Sequence, residues 1–419
     1  MKTKKLCLFS VFLLLVSFAR AEVLGSSVYG YSIDFPEGFF LQEATQDNTG
    51  FHLTHSFLPA ETVIRIYKQS QYGNSQEALS DTLTKLSGRG DFSQVDWLNR
   101  DCTIADFVIN PAQDGTLFKG WAVSSDLPLD KGYIVLLAYS PLGNKDDLDQ
   151  SMHQFLISVI DSLMFTTQRG SYFNPGPVTT FSFPRNTPSD NISEDFSQES
   201  PEGSPETSPQ NKEAVTLSIN GTEVHTAICP QDIEAQEFVI GREFAVLNLY
   251  AGTDLAISAW TRYYNQIYRC SFASLEEASF AIFARLREKD SVKNGENKDL
   301  ALAQELLTWT QNFTYKRDTQ STDFSSPTAV LAGKTFSDCD SRSLLLAILL
   351  HQMNYKTLMF LSPVHQHAML GIAIDAPGAK MAVNNTNYLV GETTAPVAIG
   401  LIAKDISVIT DWIPVVFPE

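Results

Sequence analysis

Cysteine is scarce in this chain, with five residues in 419, and one of them, Cys7, lies in an apolar start. The other four, Cys102, Cys229, Cys270 and Cys339, are too few for a scaffold built on disulfides. Cys229 and Cys270 could pair within one half of the chain, but spacing alone does not show it. Positive charge is also short: 30 Lys and Arg stand against 48 Asp and Glu, a formal net charge of −18. An acidic chain of this kind repels phosphate backbones, which argues against nucleic acid as a partner. No internal repeat is visible. Beyond the first twenty residues no run reaches the roughly 18 apolar residues a membrane span needs, so stable membrane insertion is not expected.

What is present begins with a leader. Lys2, Lys4 and Lys5 precede an apolar run from Leu6 to Phe18, and Ala19-Arg20-Ala21 is a small-x-small cleavage site. Residues 1–21 therefore read as a signal peptide, and the protein as exported, to a periplasm or the cell exterior. The competing reading is an uncleaved anchor. Losing the four basic residues Lys2, Lys4, Lys5 and Arg20 takes the charge from −18 to −22. Hydrophobic content of 43% and a length beyond one ordinary core predict two folded domains rather than a disordered chain.

Composition changes near Arg185, where "RNTPSDNISEDFSQESPEGSPETSPQNKE" holds almost no large apolar residue. Such a stretch cannot offset its ordering entropy by burial. The expected division is 22–168 as an α+β module, 169–213 as a flexible linker, and 214–419 as a second domain. In the first module "VYGYSIDFP", "ETVIRIY", "CTIADFVI", "LFKGWAVS" and "GYIVLLAYS" predict strands. Asn74 to Ser87 and Asp146 to Leu163 have helical spacing. His52 and His55, three apart on a strand, should point to opposite faces, which counts against a metal pair. In the second domain "VTLSING" predicts a strand and turn, and "QEFVIGREFAVLNLYA" one or two strands. Helices are expected over Ala256 to Arg269, Ser274 to Arg287 and Asp299 to Asn312.

The chemistry-bearing stretch is "GKTFSDCDSRSLLLAILLHQ", Gly333 to Gln352. Apolar residues on nearly every face predict a helix buried in a domain centre. Ser337, Asp338 and Asp340 favour a helix start, so Cys339 falls at the first turn. There the N–H groups are unpaired and the dipole favours thiolate, while the flanking aspartates oppose it. The plainer alternative is a small buried cysteine at the start of a core helix. Downstream, "TLMFLSPVHQHAMLGIAI" predicts strand, turn, strand, with His365 and His367 as candidate bases and His367 opening the second strand. Glu392, at the end of the strand in "NYLVGETT", could accept the other imidazole N–H. A metal bound by Cys339, His365 and His367 lacks a fourth group and a standard spacing, so neither metal nor cofactor is expected.

Together "PTAVLAGKTFSDCDSRSLLLAILLHQMNYKTLMF", "HAMLGIAI" and "YLVGETTAPVAIG" resemble the bacterial and archaeal branch of the transglutaminase-like superfamily. The resemblance covers Pro327 to Gly400 well and Ala214 to Tyr315 loosely. It implies a papain-like domain with its nucleophile at a buried helix start, Cys339 as nucleophile, His367 as base and Glu392 as acid. Ser337 stands where that family has glycine, and Met369 where many members have tryptophan. Gln304, Trp309 and Asn312 are candidates for an oxyanion donor. In the N-terminal half "YGYSIDFPEGFF", "YIVLLAYSP" and a last helix ending "IDSLMF" resemble the PsbP-like fold of antiparallel sheet and flanking helices, which implies a binding or docking module without catalytic residues. The expectation is an exported thiol acyl-transfer enzyme, a peptidase, amidase or transglutaminase, acting on a peptide or protein. The alternative is a binding protein whose transglutaminase-like domain no longer reacts.

Overall fold

The computed structural model describes residues 24–166, 171–185, 212–317, 322 and 324–418. The leader, and linker residues 169, 170 and 186–211, lie outside the described residues. The chain is mixed α+β, and its sheets are antiparallel.

The N-terminal half is built on seven strands in the spatial order Phe39–Ala44, Gly50–His55, Glu61–Tyr67, Tyr133–Pro141, Phe118–Asp126, Arg100–Ile109 and Arg89–Trp97. Tyr133–Pro141 lies in the middle and is buried on both faces, which explains its near-continuous apolar run. Val135, Leu137 and Tyr139 share a core with Ala78, Leu79 and Leu83 of the helix Ser75–Lys85. Ile134, Leu136 and Ala138 share another with Phe155, Leu156 and Val159 of the helix Gln150–Asp161. The alternation along one strand thus assigns each helix its own face. The predicted helix to Leu163 stops at Asp161. Leu163–Phe165 is instead a strand, paired with Tyr31–Ile33 in a small third layer.

Residues 171–185, counted with the linker in the sequence, are folded. Pro177–Ser182 is a short helix, with Val178 and Thr179 buried. The N–H groups of Val178 and Thr179 donate to the Asp161 carboxylate, at 2.7 Å for Val178. Gly176 permits this approach, because a Cβ there would lie 2.4 Å from Asp161 Cα.

In the C-terminal half the hairpin Glu213–Ile219/Thr222–Ile228 turns at Asn220-Gly221, both at positive φ. The expectation of strands over residues 236–251 is corrected: residues 236–249 belong to one long helix, Pro230–Leu249, and Tyr250 ends it. Its buried face carries Asp232, Gln236, Arg242 and Glu243 beside Ala235, Val239 and Val246. Polar residues on that face hide the helical period from hydropathy. The helices Ala256–Phe272, Glu276–Leu286 and Lys298–Gln311 follow, close to their expected bounds. The helix Cys339–Gln352 packs against a five-stranded sheet ordered Lys380–Val383, Thr386–Gly391, His367–Ile372, Thr357–Ser362, Ile413–Val416. No helix among the described residues is long and apolar enough to cross a membrane.

The halves meet through buried charge. Asp161 binds Arg242 at 2.5 Å, Arg242 binds Glu243 at 2.8 Å, and Glu243 binds Arg262 at 2.6 Å. These side chains are no more than 5% exposed. Burial opposes the Arg242 charge, but Glu243 and Asp161 outweigh it and hold the guanidinium above its ordinary range. Val246, Tyr250 and Ala259 complete the apolar core of the N-terminal half. Tyr250 O–H donates to Glu37 O at 2.7 Å, beside His55.

Replacing Arg242 with Met leaves two buried carboxylates without this partner. Urea unfolding of Arg242→Met is expected to show a loss of about 3–5 kcal/mol. Glu37, buried at the same junction, has one carboxyl oxygen without a hydrogen-bond partner. Burial pushes its carboxyl up to about 7, and the Arg262 charge pulls it only partly back. The folded state therefore holds a proton that the unfolded chain releases near pH 4.5, and stability falls as pH rises from there to about 7. Glu37→Gln removes that term. Its unfolding free energy is expected to gain on wild type across this window, by roughly 3 kcal/mol at most.

Candidate active site

Cys339 is the first residue of its helix. Asp338 caps it, accepting from Ser341 N at 2.9 Å and Ser341 Oγ at 2.6 Å. The thiol is 2% exposed. It donates to Asp340 Oδ1 at 3.1 Å, and the Ala368 N–H donates to the sulfur. The other oxygen of Asp340 accepts from the buried Tyr264 hydroxyl. Burial pushes the thiol far above its ordinary range, and Asp340 and Asp338 push it further.

His367 opens the strand His367–Ile372, and Glu392 follows the strand Thr386–Gly391. Those strands are neighbours, with Leu370 opposite Gly391. His367 Nε2 lies 2.7 Å from Glu392 Oε2. An ionised carboxylate only accepts, so the proton sits on Nε2 and Nδ1 carries the lone pair. Glu392 Oε1 accepts from Thr394 N at 2.8 Å and Thr394 Oγ1 at 2.6 Å. Burial works to raise the Glu392 carboxyl, but His367 and Thr394 outweigh it and hold it below the usual range.

The structure thus joins His367 to Glu392 and sets Cys339 against the backbone of the residue after His367. No hydrogen bond links the sulfur to the imidazole: the thiol is bonded to Asp340, and His367 Nε2 to Glu392. His365 stands apart, 3.2 Å from Asp411. The two histidines therefore have separate carboxylate partners. Asp338, Cys339 and Asp340 offer ligand atoms within 4.8 Å of one another, but both acids are engaged by Ser341 and Tyr264.

Of the three oxyanion candidates, Gln304 accepts from Ile399 N and donates to Thr308, and Asn312 donates to Thr308 O. Trp309 packs on Phe313 with ring centroids 4.8 Å apart. The donors this arrangement offers an oxyanion are the backbone N–H groups of the helix start. Trp412 lies over both histidine rings, at 5.8 Å from His365 and 6.2 Å from His367. Gln311 holds the acid-bearing loop through Glu392 O at 2.8 Å and Val397 O at 2.9 Å. Arg342 was also missed by sequence reasoning, although a lone cation in an apolar helix is a visible signal. It donates to Ser337 Oγ at 2.9 Å, two residues ahead of Cys339. A cleft of about 630 Å³ lies elsewhere, on the N-terminal sheet, lined by residues including His52, Arg65, Tyr67, Lys68 and Tyr139. It shares no residue with this site.

No family model matches the chain. No curated protein matches it. Among solved structures it is similar to the Saccharomyces cerevisiae Ran-binding protein Mog1p, at 12% identity and a TM-score of 0.27, over 36% of this chain and 97% of that one. A point mutant of the protein Mog1 gives 11% identity and a TM-score of 0.26, over 35% of this chain and 95% of that one. Likeness at that level carries no argument about fold or function.

Replacing Asp340 with Asn removes a negative neighbour and leaves the thiol at most a weaker, neutral acceptor. The pH midpoint for iodoacetamide alkylation of Cys339, followed on its own peptide by mass spectrometry, is expected to fall by about one unit or more in Asp340→Asn. An unchanged midpoint would mean that Asp340 does not control the thiol.

Proposed function

We propose that the protein is an exported thiol acyl-transfer enzyme of the transglutaminase-like class, acting on peptide or protein amides through Cys339, His367 and Glu392. The observation that carries this reading is the His367–Glu392 pair at 2.7 Å, at the strand ends beside the helix start bearing Cys339. In this reading the thiol leaves Asp340 and gives its proton to His367 Nδ1. The sulfur lone pair forms a C–S bond at the amide carbonyl, and the carbonyl π pair moves to oxygen, held by helix-start N–H groups. On collapse the C–N bond breaks and the amine leaves with the proton from His367. Water, activated by the same Nδ1, then hydrolyses the thioester. An amine in its place would give transamidation, but hydrolysis is the reading favoured for an exported protein. Glu392 fixes the tautomer and supports the imidazolium. No cofactor takes part. The N-terminal half serves as a PsbP-like docking module.

The second reading is a binding protein with an unreactive site. The observation favouring it is the buried thiol, 2% exposed and bonded to Asp340 rather than His367.

A thiol-directed acyl probe separates the two. Wild type is expected to label at Cys339, with Cys339→Ala unlabelled and His367→Ala slowed by about 10²-fold or more. Peptide-library hydrolysis should follow the same order. Equal labelling of wild type and His367→Ala, with no turnover of any peptide, would favour the binding protein.

A further inference from the structure

The first turn of the helix Cys339–Gln352 holds a cation that the chemistry above does not use. Arg342 is 1% exposed, just ahead of the apolar run Leu344 to Leu350. A guanidinium persists in such a place only where its donors are paired. Nε donates to Ser337 Oγ at 2.9 Å, Nη1 to Thr393 O at 3.1 Å, and Nη2 to Phe313 O at 2.7 Å. These acceptors lie on three separate segments, and all are neutral oxygens. The charge is therefore not cancelled by an ion pair. It faces Asp338 and Cys339 on its own helix start, Glu392 on the acid-bearing loop, and the Tyr315 ring at 5.3 Å.

Each segment adjoins the site. Ser337 lies two residues before Cys339, and its backbone pairs with 314–316: Ser337 N donates to Thr314 O, and Lys316 N to Ser337 O. Thr393 directly follows Glu392, and its hydroxyl lies 3.5 Å from Cys339 O and 3.4 Å from Ser343 Oγ. One side chain thus ties the turn ahead of the sulfur to the residue behind the acid.

We propose that Arg342 is the positioning residue of this site. Its guanidinium fixes the Ser337 turn against the Thr393 carbonyl, and so sets the spacing between Cys339 and the Glu392-bound imidazole. It touches no reacting atom. The inference rests on the acyl-transfer reading for what that spacing serves, but the spacing is measured without turnover.

The test compares full-length wild type, Arg342→Gln, Arg342→Lys and Ser337→Ala by two readouts. One is the pH midpoint for alkylation of Cys339 by iodoacetamide. The other is the His367 Nε2–H signal in protein labelled with ¹⁵N-histidine, calibrated with Glu392→Gln. Circular dichroism and the thermal midpoint check folding. Arg342→Gln is expected to raise the alkylation midpoint by about one pH unit, because a nearby positive charge is lost. Arg342→Lys keeps a charge but not the planar fork, so it is expected to move the His367 signal toward that of Glu392→Gln with a smaller change in midpoint. Ser337→Ala, which removes one neutral acceptor, is expected to move both readouts slightly in the same directions. Folded Arg342 variants with both readouts at wild-type values would overturn the proposal. If those variants do not fold, an unmoved Ser337→Ala overturns it alone. Wild-type Cys339 that the thiol-directed acyl probe does not label would end the acyl-transfer reading, while the shift on changing Arg342 would still decide its role.

Discussion

Leu344 to Leu350 are all fully buried, and that burial governs the C-terminal half. The helix that holds them lies against the five-stranded sheet on one side and is surrounded by helices on the others. A helix with no exposed face can meet other chemistry only at its ends. At its N-terminal end the backbone donors lack intrahelical partners, and the chain supplies Ser337, Asp338, Asp340 and Ser341 there. Core packing also decides which strand end faces that turn. It is the start of His367–Ile372, whose Ala368 N–H reaches the Cys339 sulfur. The position of Cys339 thus follows from hydrophobic burial rather than from any local contact of its own.

The same constraint explains how much could be read in advance. A run apolar on all faces is a clear signal, so the helix Cys339–Gln352 was predictable to within a residue, while Ser337, Asp338 and Asp340 all stood open as its start and the structure caps it with Asp338. The strands of the N-terminal sheet were equally plain, because β-branched and aromatic residues recur in short bounded runs. Glu392 could be placed at a strand end from its neighbours, and it bonds His367 Nε2 at 2.7 Å. What could not be read is anything decided by a rotamer. The bond of the thiol to Asp340 depends on side-chain torsions that no spacing encodes. The three bonds of Arg342 join residues 29 and 51 positions apart, as well as its near neighbour Ser337. Only the fold brings those oxygens together.

The helix Pro230–Leu249 failed for a different reason. Hydropathy assumes that buried faces are apolar, and this one carries Arg242 and Glu243. They are buried because they meet charges from elsewhere: Asp161 in the N-terminal half and Arg262 on the next helix. Such residues stand out as errors in a pattern before the fold is known, and as its junction afterwards. The folding of residues 171–185 belongs to the same junction, since Thr179 shares the Asp161 carboxylate with Arg242. The described part of this segment runs to Arg185, where the Pro- and Ser-rich composition begins.

The charge around Cys339 can be weighed in the same terms. Two aspartates flank the sulfur, and both oppose a thiolate. On the other side stand the buried Arg342 guanidinium and, once it takes a proton, His367. Glu392 is held ionised by bonds from His367 and Thr394, so an imidazolium there would be paired as it forms. In the proposed reaction, moving the proton from sulfur to Nδ1 would create two opposite charges, and the pair as a whole would gain no net charge. The burial cost is therefore far smaller than for a lone thiolate. The thiol bonded to Asp340 bears no such charge and is favoured at rest. The Tyr264 hydroxyl draws on the same carboxylate, which weakens Asp340 as an acceptor for sulfur. The first turn thus contains Asp338 and Asp340, which hold the thiol protonated, and the buried Arg342 guanidinium, which opposes them.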